Sequence, residues 1–338
     1  IYDNSPKIKQ IVDSLQQAEQ KIQLNGLIGS SLSFVVQSLF KKTEKPFLII
    51  LNDKEEAAYY LNDLEQMIGD EDVLFYPGSY RRPYQIEDTD NANVLLRAEV
   101  LNRINSRKKP AIIVTYPEAL FEKVVTRKEL DKNTLKVTVG DQISIDFINE
   151  VLFEYEFKRV DFITEPGEFS VRGGIVDVFS FSNDNPYRIE FFGNEVDSIR
   201  SFDVETQLSI EKQKKITIIP NVENKFFQEN RESFLEYINN QTVLFIQDTD
   251  SLFSKLDRLF AKATEIFENL NATVNHVAPN QLFLNQVEFI KKSLDFSVVE
   301  LSSKPIYKTK KAFDFYIKPQ PSFNKQFDLL LNNLNDNH

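Results

Sequence analysis

Glu165–Thr206 reads EPGEFSVRGGIVDVFSFSNDNPYRIEFFGNEVDSIRSFDVET, and this stretch decides the fold. The chain has nine glycines, and four of them, Gly167, Gly173, Gly174 and Gly193, fall here. Glycine marks backbone that needs a positive φ or a close approach. Each one punctuates a short run of β-branched and aromatic residues, the pattern of consecutive hairpins. Ile175–Phe179 follows the Gly173-Gly174 pair, Tyr187–Phe192 stops at Gly193-Asn194, and Val196–Phe202 runs on from there.

Side chains in a strand change face at every residue. Tyr187, Ile189 and Phe191 therefore share an apolar face that meets a core, while Arg188, Glu190 and Phe192 share the other. Two readings of that second face stay open at this point. It is a solvated surface with an Arg–Glu pair and one stray Phe, or a contact surface with Phe192 as its hot spot.

At 338 residues the chain exceeds one ordinary domain, and two or three are expected. Hydrophobic residues make up 41% and include 29 Phe, enough to fill their cores. The absence of Cys excludes disulfides, thiolate metal sites and Cys nucleophiles, and fits a reducing, cytoplasmic setting. Two His, His276 and His338, are too few for a His-based metal cluster or a His-dependent triad, so neither a metal nor a catalytic residue is expected. The net charge of −11 argues against non-specific binding to a nucleic-acid backbone, and the basic clusters at Arg81-Arg82, Arg107–Lys109 and Lys308–Lys311 read as dispersed, solvated turns. No apolar run approaches the roughly 20 residues that span a bilayer, and Tyr2–Ser5 does not open a signal peptide. A start at Ile1 with Met67 as the single Met points to a piece of a longer protein.

From Ser5-Pro6, a helix start, the chain alternates helices with buried apolar strands. The strands are Lys21–Leu24, Pro46–Leu51, Val73–Tyr76 and Ala111–Thr115, and Tyr80–Asp90 reads as a loop. That rhythm predicts a parallel α/β sheet up to about residue 126. Strands then follow strands, marking an α+β module over 127–212. The α/β rhythm returns over 213–312, with helices at 228–238, 250–270 and 280–293 and strands at 242–246 and 296–301. The middle module is thus inserted into an α/β domain. Residues 313–338 are expected to be a linker and the start of a further domain, with a helix at 326–334.

The motifs GEFSVRGGIVDVF (167–179) and YRIEFFGNEVDSIRSFD (187–203) resemble the UvrB-type interaction domain. The form they resemble most is that in the N-terminal UvrB-homology region of bacterial transcription-repair coupling factors (Mfd). The resemblance implies a RecA/helicase-like α/β domain with a degenerate P-loop, split by the inserted interaction domain. It implies a non-catalytic adaptor that binds the repair protein UvrA through Arg172, Arg188 and Phe192, unless Glu168, Asp177 and Glu190 pair those arginines internally. RNA polymerase and DNA would be reached through other domains of the parent, whose motor would use ATP. Docking of residues 127–212 within the parent is a further implied contact.

The resemblance also singles out Gly26-Leu-Ile-Gly29-Ser-Ser31-Leu32-Ser33, which sits where a P-loop belongs. A working loop reads GxxxxGK[ST], with Gly wrapping phosphate and Lys reaching the terminal oxygens. Here Ser31 stands at the second Gly and Leu32 at the Lys, while Ser33 keeps the metal-binding hydroxyl. After the strand at 242–246 the chain reads Gln247-Asp-Thr-Asp250, without an adjacent Asp-Glu pair. No nucleotide cofactor is therefore expected for this stretch. The other implied possibility is an ATP-dependent, UvrB-like DNA helicase that recognises damage; Tyr80–Asp90 leaves no room for a long DNA-clamping hairpin.

Overall fold

A computed structural model describes residues 5–79, 84, 91–106, 109–222, 230–270, 277–302, 304–309, 311–317 and 327–336. The first part runs α1 (Pro6–Leu15), β1 (Lys21–Asn25), α2 (Ser31–Thr43), β2 (Phe47–Ile50), α3 (Lys54–Ile68), β3 (Val73–Phe75), α4 (Asn91–Ser106), β4 (Ile112–Thr115), α5 (Pro117–Phe121) and β5 (Val124–Val125). The middle part runs α6 (Arg127–Lys132), β6 (Leu135–Thr138), α7 (Ile145–Glu154), β7 (Lys158–Arg159), β8 (Glu168–Arg172), β9 (Ile175–Val178), β10 (Tyr187–Phe192), β11 (Glu195–Phe202), β12 (Ser209–Gln213) and β13 (Lys215–Ile218). Then come β14 (Arg231–Glu232), α8 (Phe234–Tyr237), β15 (Val243–Ile246), α9 (Thr249–Glu268), α10 (Pro279–Leu282), α11 (Gln286–Ser293), β16 (Ser297–Glu300), β17 (Lys311–Asp314) and α12 (Phe327–Asp336).

A seven-stranded parallel sheet, ordered β17-β1-β16-β15-β2-β4-β3, takes strands from both ends of the chain. Its central strands β2, β4, β15 and β16 are buried at every residue, as expected of a sheet covered by helices on both faces. The inserted module holds a separate sheet ordered β12-β11-β10-β9-β8-β7, antiparallel except at β7–β8. One continuous core includes Phe47, Val114 and Phe245 of the first sheet together with Phe169, Val176 and Ile189 of the second. No helix among the described residues is long and apolar enough to cross a membrane.

Three local expectations change. Of the helix expected over 228–238, the described residues 230–238 hold only a single turn, α8, because β14 pairs with β5 just before it. The helix expected over 280–293 is broken into α10 and α11: Phe283 bridges to Glu122, the Leu284 N–H donates to the Phe121 carbonyl, and Asn285 caps α11 afresh. β13 pairs with β6 and closes the middle module. β17 crosses the boundary expected at 312, with Phe313 and Asp314 in register with Leu24 and Asn25. The loop expected at Tyr80–Asp90 lies outside the described residues apart from Tyr84, as do Arg81-Arg82, Arg107-Lys108 and both His.

Sequence reading also passes over Arg97, a cation with 0% exposure on α4. Its Nη1 donates to the carbonyls of Pro77 (2.9 Å) and Ala119 (3.2 Å) and lies 3.4 Å from Glu122, while the guanidinium stacks 4.5 Å above Tyr76. Glu122 accepts in turn from Ser79, so the pair fixes the chain leaving β3 against α5. Truncating one partner strands the other charge in the core. Arg97→Ala is expected to cost about 3–5 kcal/mol in urea unfolding.

Candidate protein-interaction site

Two adjacent hairpins build the site. β8 and β9 join through Gly173-Gly174, and β10 and β11 through Gly193-Asn194; Gly173 and Gly193 have φ of +60° and +62°. Because successive strands are antiparallel, both turns lie at one end of the sheet. They touch there: the Phe191 N–H donates to the Gly174 carbonyl (2.8 Å), and a Cβ on Gly174 would stand 3.1 Å from the Phe191 oxygen. The second turn is braced from the other side by residues 140–143. Ile143 N–H donates to Asn194, Val196 N–H donates to Asp141, and Gly140 N–H donates to Val196. Register slips there by one residue, so that Glu190 faces Ser198 and Phe191 faces Val196. This bulge at Asp197 lets Val196 and Ile199, three apart, both point into the core.

On the outward face the cross-strand register places Ser170, Asp177, Arg188 and Arg200 in one row. Asp177, only 2% exposed, is the hub. Arg188 grips it with Nε (2.7 Å) and Nη2 (2.8 Å), a bidentate pair, and Arg172 reaches it with Nη2 (2.5 Å). Glu190 instead holds Arg200 and Ser198, and Glu168 accepts from Thr164 and Glu165. Arg188 also lies 4.4 Å over the Phe202 ring, which forms a small second core with Ile163 and Phe179. The hydrogen bond to Asp177 pushes the Arg188 pKa up from its ordinary value, against the opposing pull of burial.

The three expected contact residues therefore share a face but not a condition. The Phe192 residue is 84% exposed. The Arg172 side chain is 42% exposed, while that of Arg188 is only 15% exposed and engaged with Asp177. A fourth residue, Phe162, stands 66% exposed beside Arg172 with its ring 5.2 Å from the guanidinium. It sits in an irregular loop, and strand alternation gave no signal for it.

The nucleotide-loop residues lie at the end of β1. Gly26 and Gly29 have φ of +73° and +56°, and the Ser31 hydroxyl accepts the Ile28 N–H (2.7 Å). Leu32 is 3% exposed and points into the core; Ser33, fully buried, donates to Asp63 of α3 (3.3 Å). The chain after β17 lies across the loop: Phe315 and Ile317 N–H groups donate to the carbonyls of Asn25 and Gly26, and a Cβ on Gly26 would stand 2.9 Å from the Tyr316 nitrogen. After β15, Asp248 caps α9 by accepting the Ser251 N–H, and Thr249 donates to the buried Glu300. Among the described residues no group of His, Cys, Asp or Glu is arranged to hold a metal.

These environments separate stability from exposure. Asp177→Ala leaves two guanidiniums against a partly buried row and is expected to cost about 2–3 kcal/mol in urea unfolding, less than a fully buried pair because Arg172 can reach water. Phe192→Ala should stay within about 0.5 kcal/mol of the parent.

Residues 135–224 match the UvrB interaction domain family. The chain is 32% identical to the transcription-repair-coupling factor of Bacillus subtilis over 273 residues, covering 80% of this chain and 22% of that protein. It is 28% identical to the Myxococcus xanthus transcription-repair-coupling factor over 256 residues, 72% of this chain and 21% of that protein. Against the UvrABC system protein B of Clostridium botulinum it is 27% identical over 231 residues, 64% of this chain and 35% of that protein. The chain spans about a fifth of the coupling factors it matches. The chain thus carries a UvrB interaction domain, matched over residues 135–224, within a split parallel α/β domain, and four fifths of it is similar to a transcription-repair-coupling factor.

Proposed function

We propose that this chain is the non-catalytic, UvrB-like adaptor of a transcription-repair-coupling factor. It binds UvrA through the outward face of β8–β11 and so brings nucleotide excision repair to RNA polymerase stalled at damaged DNA. ATP-driven translocation and the contacts to polymerase and DNA belong to other domains of the parent protein. The reading rests chiefly on Phe192: an 84%-exposed aromatic at the tip of a braced hairpin, on the same sheet face as two arginines positioned by Asp177. An exposed aromatic on a backbone held in place is a typical interface anchor, and burying it in a partner is worth about 1.5–3 kcal/mol.

The adaptor reading takes the loop after β1 to be inert towards nucleotide. Leu32 is committed to the core, and the backbone at Tyr316 packs closely against Gly26. The kinship with UvrABC system protein B favours a second reading, an ATP-dependent helicase fragment. A nucleotide titration separates them: the adaptor shows no ATPase activity and no thermal shift with Mg-ATP, and either response would overturn the inert loop.

Binding is tested directly with purified UvrA. Phe192→Ala is expected to weaken affinity by at least about tenfold while the fold stays intact. Arg188→Ala should weaken it as well, with some loss of stability because Asp177 loses its bidentate partner. Unchanged affinity in both variants removes this surface as the UvrA site. If the same face docks within the parent protein, the intact parent binds UvrA more weakly than this chain does.

A further inference from the structure

Asp177 is one carboxylate between two guanidiniums, and Arg188 takes both of its oxygens. Arg172 is therefore the surplus charge of the cluster and the one that reaches solvent. Among the described residues only its Nη2 meets a protein acceptor, which leaves most of its five N–H donors open. The Phe162 ring lies 5.2 Å from its guanidinium, on a loop anchored by Ile163 in the small core and by Val160 packed against that core. In a chain of net charge −11, this outward-facing cation with an aromatic backing is unlike its surroundings. Asp161 and Glu165 on the same loop are exposed and add negative charge to it. A polyanion meets repulsion there, while one well-aimed carboxylate can enter over Arg172.

We infer that Phe162 and Arg172 form a single recognition element that takes an Asp or Glu side chain of the partner. The ring presents the guanidinium and excludes water from one side, so that the open fork binds the carboxylate. This rests on the reading that the chain binds UvrA, and it adds a residue and a partner chemistry to that contact. Phe162 acts through Arg172, so the effects of removing the two are coupled and not additive.

The test is a double-mutant cycle on UvrA binding by the whole chain, with Phe192→Ala as an independent probe of the surface. Phe162→Ala is expected to weaken binding about three- to fivefold, Arg172→Ala about tenfold, and the double variant no more than Arg172→Ala alone. Phe162→Tyr keeps parental affinity. Arg172→Ala also flattens the dependence of affinity on salt. Melting of Phe162→Ala within a degree or two of the parent separates the effect from misfolding. Loss of affinity in Phe192→Ala with none in Phe162→Ala or Arg172→Ala overturns this inference and leaves the UvrA reading standing, as do strictly additive effects. Failure of the unmodified chain to bind UvrA overturns both. Duplex DNA binding that depends on Arg172, with UvrA affinity unmoved, shows that the element serves phosphate and overturns the carboxylate assignment.

Discussion

The parallel pairing of β1 with β16 and of β2 with β15 holds together two pieces of chain that the insertion separates. Both neighbours of β1, β16 and β17, come from beyond the inserted module. Without them β1 has no ladder, the loop at Gly26 has no fixed position, and α2 has no sheet to cover. The insertion is compatible with this only because its two ends are brought close together. β5 pairs with β14 and β6 with β13, two short antiparallel ladders that tie the outgoing chain to the returning one. That neck also continues the core of the α/β sheet into the second sheet. The hairpins therefore rise from a fixed base, and a surface so held loses little conformational entropy on binding.

Elements whose cause is local were legible in the sequence. The strands Phe47–Ile50, Ile112–Thr115 and Val243–Ile246 are unbroken apolar runs, and both glycine turns of the second sheet fall where Gly173-Gly174 and Gly193-Asn194 punctuate it. Elements decided by distant partners were not. Lys311–Asp314 is four residues with one buried side chain, and it is a strand because the edge of β1 is open beside it. Residues 228–238 have the spacing of a helix, yet pairing with Val124-Val125 takes Arg231-Glu232 and leaves one turn capped by Ser233 and Glu236. Phe283 and Leu284 are pulled out of helix by the backbone at Phe121–Lys123.

The site divides along the same line. Strand parity put Arg188, Glu190 and Phe192 on one face, and a two-residue turn puts Arg172 near Asp177 on the adjoining hairpin. Which carboxylate each arginine takes depends on the register of β9 against β10, and the connection Phe179–Pro186 does not reveal it. The pairing of Val178 with Tyr187 sets Asp177 directly opposite Arg188 and leaves Glu190 for Arg200. A one-residue slip would have turned the charged row into the core. Phe162 had no periodic signal at all, because it lies in an irregular loop where only the next residue, Ile163, turns inward.

The phosphate-loop position and the sheet face illustrate opposite uses of buried polar chemistry. At the loop, the side chains at the motif positions are engaged inside the fold. Leu32 fills the core, Ser33 bonds Asp63, and Asp248 caps α9. A Lys at position 32 would carry its charge into an apolar site, beneath a loop crossed by the backbone of residues 315–317. A single substitution therefore does not rebuild a phosphate cradle, since the core and the strap would both have to give way. On the sheet face the buried carboxylate works outward instead. Asp177 uses both oxygens to hold two guanidiniums in place, and because one carboxylate cannot neutralise both, the excess charge is delivered to the surface at Arg172, beside an exposed ring. The α/β layer supplies the base from which the hairpins rise, and the charge left unbalanced above it lies at the solvent-reaching Arg172.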